Sequence, residues 1–149
     1  MTQSRTFAIP DVGDASRTRL PDEARLTVPG RPEQVATARA FVAKALGDNP
    51  QAETAILLTS EIVTNSVLHS TSCRPGGTVT ITVAELPGGG PGPLRVEVTD
   101  DGATGLPQRR KAGDDDENGH GLQLVDALAT RWGCRRASTG TTTTWFELA

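Results

Sequence analysis

The sequence predicts an α/β (α+β) two-layer sandwich, a mixed, mostly antiparallel sheet of about five strands covered by three helices. Three observations predict it. Apolar residues recur at helical spacing in three segments, and five short runs alternate apolar and polar residues at period two. The element order is strand, two helices, two strands, helix, two strands. That order lacks the regular strand–helix alternation of a doubly wound sheet.

Each element has its own warrant. "ARLTVP" alternates Leu26 and Val28 with polar neighbours, and Pro29 closes it, so it reads as a short edge strand. Pro32 suits a first helical turn, Val35, Ala38, Val42 and Leu46 follow at helical spacing, and Gly47 with "DNP" ends the run. A second helix covers roughly 52–71. "TVTITVAE" and "LRVEV" alternate around the Gly/Pro-rich connector "LPGGGPG" and form a hairpin. The polar run with "GDDDENG" reads as a long loop before the helix "GLQLVDALAT". "RWGCRRAS" and "TTTTWFEL", joined at a Thr-Gly turn, complete a second hairpin.

Composition narrows the function. The 149 residues suit one domain, expected over 23–149, behind a mobile leader at 1–22 that mixes Arg, Asp, Ser, Thr and Pro without periodicity. A net charge of −3 gives no electrostatic footprint for nucleic acid or for a membrane surface. Two cysteines, Cys73 and Cys134, form no CxxC pair. The first thirty residues show no apolar signal-peptide core, and no stretch approaches the ~18 apolar residues of a membrane span. A reduced, cytoplasmic protein is the expectation.

Within the second helix, "LLTSEIVTNSVLHS" sets Glu61 and Asn65 about 40° apart on one face, with Leu57, Leu58, Ile62 and Leu68 to either side. Polar groups enclosed among apolar ones need partners. An amide oxygen is a ligand that Mg²⁺ accepts alongside waters and phosphates, and a carboxylate one turn away can act as a general base. A polar patch under a loop, satisfied by backbone donors, explains the same helix.

Two further segments bear on that choice. In "LRVEVTDDG", Asp100 shares the inward face with Leu94, Val96 and Val98. An inward carboxylate at a strand end can accept a hydrogen bond from an exocyclic amine such as adenine N6, and Gly102 lets a flat ring approach; Asp-Gly is also an ordinary turn dipeptide. "NGHGLQLV" sets two glycines before a helix, where free N–H groups can meet phosphate. Taken alone, that pair also suits a loop hinge.

In this order, Glu-x-x-x-Asn on a helix, Asp-x-Gly after a strand and Gly-x-Gly-Leu before a helix, the sequence resembles the GHKL ATPase superfamily. The nearest resemblance within it is to the anti-sigma factor serine/threonine kinases and their stand-alone ATP-binding relatives. It runs from about residue 24 to 148: "SEIVTNSVLHS" resembles the N box, "VTDDG" and "GHGLQLV" the two glycine boxes, and "TTTTWFEL" the last strand.

The resemblance implies a GHKL-type ATP-binding fold with ATP and Mg²⁺ as cofactors. By it, Asn65 would coordinate Mg²⁺ and Glu61 would be the general base for a protein serine or threonine hydroxyl. Asp100 would read adenine, Gly102 would let the ring pack, and Gly119, His120, Gly121 and Leu122 would line the phosphate end. Residues 105–118 would form the ATP lid. Thr142 is the candidate for the threonine near adenine, with Thr144 second. His69 is either the histidine relatives carry there or a packed structural one, and Arg39 either a partner contact or a solvated residue. A sigma factor and an antagonist protein would be the partners, and a homodimer is typical. The chain departs from the pattern at "DDGATG", where Thr104 precedes Gly105, and in an acidic lid holding Asp114, Asp115, Asp116 and Glu117. The competing implication is a catalytically inactive nucleotide-binding module that sequesters a sigma factor or antagonist.

Overall fold

The computed structural model describes residues 23–70, 74–86, 93–102 and 116–149, with backbone alone over 116–121. The leader expected at 1–22, Thr104, and Gly105, Asp114 and Asp115 of the expected lid lie outside the described residues. The elements are β1 (Ala24–Pro29), α1 (Gln34–Leu46), α2 (Ala52–His69), β2 (Thr78–Glu85), β3 (Leu94–Asp100), α3 (Asp116–Leu128), β4 (Arg131–Arg136) and β5 (Thr142–Leu148). The strands form one sheet in the order β1-β2-β3-β5-β4. Every pairing is antiparallel, so the sheet is not mixed. Pro29 closes an edge strand, where its missing N–H breaks no ladder.

Side-chain alternation builds the core. Val79, Ile81 and Val83 of β2, Leu94, Val96 and Val98 of β3, and Phe146 and Leu148 of β5 are buried together against Ala38, Val42 and Leu46 of α1 and Leu58, Ile62 and Val63 of α2. Helix α1 packs on β1 and β2, α2 on β2 and β3, and α3 on α2 and β4. Two caps fix the helix junction. Gly47, at φ 53°, donates its N–H to the Ala43 carbonyl and ends α1. Buried Asn49 then accepts the Gln51 N–H on Oδ1 at 2.7 Å and donates from Nδ2 to Glu85 Oε2 at 2.9 Å, tying the start of α2 to the end of β2.

Two expectations are corrected. Helix α3 starts at Asp116, so Asp116 to Gly121 belong to the helix and not to a loop ahead of it. Acidic residues in a first turn complement the helix dipole and offset part of the low propensity of Gly119 and Gly121. Leu57 and Leu68, expected to enclose Glu61 and Asn65, are 40% and 53% exposed. Helix α2 turns Ala55, Leu58, Thr59, Ile62, Val63, Ser66 and Val67 to the core instead.

Candidate nucleotide site

The site gathers where the C-terminal half of α2 meets the end of β3. Alternation along β3 carries Asp100 inward as expected, and it is 6% exposed. Its Oδ1 accepts the Gly102 N–H at 2.7 Å, an Asx turn that stops the strand. The Ser66 hydroxyl of α2 bonds the same carboxylate. Burial raises the Asp100 pKa above 3.8, the Ser66 and Gly102 hydrogen bonds pull against it, and the neighbouring Asp101 charge adds to the rise. The result is a carboxylate held inward by two donors, with acceptor capacity left over.

Gly102 has a reason independent of any ligand. Its φ is 87°, and an added Cβ would run into the Gly140 carbonyl oxygen of the β4–β5 turn. Glycine there joins two turns at close approach.

Thr142 sits directly across the β3–β5 ladder from Asp100. It is 2% exposed, and its Oγ1 has no hydrogen-bond partner among the described residues. A buried orphan hydroxyl is costly, and a ligand there would complete it; Thr59 Oγ1 on α2 is orphaned in the same way. Thr144, the second candidate, lies two residues further along β5 and has its hydroxyl 3.6 Å from Cys134 Sγ. Burial pushes the Cys134 thiol up to about 11, which leaves it a neutral core group.

On α2, Ser66 docks the helix against Asp100, and the preceding residue, Asn65, is half-buried at the margin of the core. Glu61, one turn earlier, is also half-buried, and exposed Leu57 and Leu68 lie on the outer side of the same helix. Exposed His69 ends α2 and is not a packed histidine; Arg39 is exposed on α1. Helix α3 is anchored by the Trp132 indole, which donates to Asp126 Oδ1 at 2.9 Å. Leu122, expected at the phosphate end, is 4% exposed in the hydrophobic core and serves packing. Gly119, His120 and Gly121 are the fourth to sixth residues of α3, so of the three only Gly119 falls among the four N-terminal N–H groups that lack an intrahelical partner. Ser66 was missed in the sequence, because one serine among α2's apolar residues shows only that the face is not uniform.

Among the described residues no three His, Cys, Asp or Glu side chains converge on a cation site. A magnesium ion carried by phosphates needs only one or two protein oxygens, which Asn65 can supply. No described helix is long and apolar enough to cross a membrane.

An open antiparallel sheet under three helices, with an inward carboxylate and a buried threonine at one end of its central strands, defines an α+β domain. The model of the histidine kinase-like ATPase domain family matches residues 28–146, and the chain belongs to that family, within the GHKL superfamily. No curated protein matches its sequence.

Proposed function

We propose that the chain binds Mg-ATP and transfers the γ-phosphoryl group to a serine or threonine of a protein antagonist, as an anti-sigma-factor-type kinase in the cytoplasm. The single observation that carries the transfer step is Glu61: a half-buried carboxylate one turn from Asn65 on a helix face that also exposes Leu57 and Leu68. A base at the rim, beside apolar surface, suits a hydroxyl presented by a protein better than an enclosed small molecule.

In this reading Asp100 accepts the adenine N6 amine and Thr142 Oγ1 completes its bonding on the same ring. Magnesium held by Asn65 and the phosphates would neutralise charge on the transferring group. Glu61 takes the proton of the attacking hydroxyl as its oxygen bonds to the γ-phosphorus and the bond to the β-phosphate oxygen breaks, leaving ADP. Binding of a sigma factor and of the antagonist belongs to the same reading.

Incubation with labelled ATP and candidate antagonists tests it. Magnesium-dependent phosphoserine or phosphothreonine on a partner is expected, lost in Glu61→Ala while ATP binding persists. Full transfer by that variant would remove Glu61 from the mechanism. ATP binding without transfer to any partner would favour a sequestering module.

A further inference from the structure

A second cleft opens where β1 ends and β2 begins, and none of Glu61, Asn65, Asp100 or Thr142 lines it. Two turns shape it. In Arg74-Pro75-Gly76-Gly77 the Gly77 N–H donates to the Arg74 carbonyl at 2.8 Å, with proline second and Gly76 third at φ 84°, the signature of a type II turn. At the end of β1 the Gly30 N–H donates to the Gly77 carbonyl at 3.1 Å, and the Arg31 N–H to the Pro29 carbonyl at 2.9 Å. These bonds fix the backbones of Arg31 and Arg74 relative to each other.

The cleft has a volume of about 570 Å³, and among the described residues its walls hold two cations, Arg31 and Arg74, and no carboxylate. Arg25, Arg95, Arg131 and Arg135 each reach a glutamate, whereas Arg31 and Arg74, like Arg39 and Lys44 on α1, make no ion pair among the described residues. The chain as a whole carries −3, so a local surplus of two positive charges is not a general property of its surface. The adjoining Asp101 uses Oδ2 to accept the Thr78 N–H at 3.0 Å, and Glu33 is exposed two residues beyond Arg31. Open space lies over Gly76, whose central turn amide is not used by the turn itself.

We propose that this cleft binds a phosphate monoester or free phosphate between the Arg31 and Arg74 guanidinium groups. Two planar forks match a tetrahedral oxyanion in geometry, and their two charges match the −1.5 to −2 that a phosphorylated side chain carries at about neutral pH. The cleft is separate from the nucleotide site, so it stands or falls independently of phosphoryl transfer.

The test uses the full ¹⁵N-labelled chain without nucleotide, and shifts at the cleft amides are read separately from any at Asp100 and Gly102 of the nucleotide site. Inorganic phosphate, a phosphoseryl peptide and its unphosphorylated counterpart are titrated separately. The phosphorylated probes are expected to shift the Gly30, Gly76 and Gly77 amides, and Arg31→Gln with Arg74→Gln to weaken them by roughly tenfold or more, the scale of lost charge-assisted hydrogen bonds. Both arginines are exposed, and unchanged spectra elsewhere verify the fold of the variant. Tighter binding of the phosphopeptide than of phosphate identifies a phosphoprotein as the source; equal binding identifies the free anion. No shift at these amides with either phosphate probe, equal affinity in the double variant, or equal binding of the unphosphorylated peptide overturns the proposal. The shifts are expected even from a chain that fails to bind nucleotide, which separates this outcome from the one above.

Discussion

Asp100 is buried against its own charge, and that fixes what its substitutions do. Its raised pKa means the folded state favours the protonated form, so its contribution to stability is fully present below the unfolded value near 3.8 and is lost as pH rises through the folded pKa. Asp100→Asn removes this dependence while keeping an acceptor for the Gly102 N–H. Thermal melts against pH should show the variant gaining on the wild type across that window, with no loss of melting temperature at neutral pH. Nucleotide affinity should move oppositely, falling by about tenfold or more, because a hydrogen bond to a charged group is worth about 1.5–3 kcal/mol. Thr142→Val replaces an orphan hydroxyl with a methyl of equal shape. Denaturant melts of the ligand-free variant should show stability unchanged or raised by about 1 kcal/mol, with ATP binding weakened in calorimetry. Gly102→Ala should cost more than about 2 kcal/mol on the same melts, since it combines a left-handed backbone with a clash on Gly140.

At the scale of elements, the site depends on how α2 and α3 seat on the sheet. Period two along β3 and β5 made the inward placement of Asp100 and Thr142 legible, because an alternating strand offers only two faces. Helix α2 was less legible. It is apolar around more than half its circumference, so periodicity could not decide that Leu57 and Leu68 face out while Thr59 and Ser66 face in. The start of α3 was hidden by glycines that read as loop, although Asp116 and Glu117 carried the opposite signal of an acidic first turn. Ser66 and Trp132 make contacts that sequence spacing could not reveal: the first joins α2 to the distant end of β3, and the second spans the turn from α3 into β4, only six residues from its partner. Trp132→Phe should release α3 from β4 by removing the bond to Asp126, lowering stability by about 1 kcal/mol and raising amide exchange along α3.

Over the whole molecule the two sheet faces do different work. The inner face buries the core and, at one end, the candidate nucleotide site. The outer face carries a charge network in which Arg95 bonds Glu97 and Glu147 at 2.8 Å each and lies over the Trp145 ring, 4.1 Å from its centroid. Trp145 in turn lies against Gly133, where an added Cβ would come within 3.1 Å of the ring. The central claim concerns the inner face: the end of β3 and β5 reads an adenine amine. Parallel calorimetric titrations of the full chain with Mg-ATP and Mg-GTP test it most directly, because guanine presents a carbonyl oxygen where adenine presents its amine. The account predicts that ATP binds, that GTP binds at least about tenfold more weakly, and that Asp100→Asn narrows the gap. Equal affinity for the two nucleotides, or a gap untouched by Asp100→Asn, would contradict it.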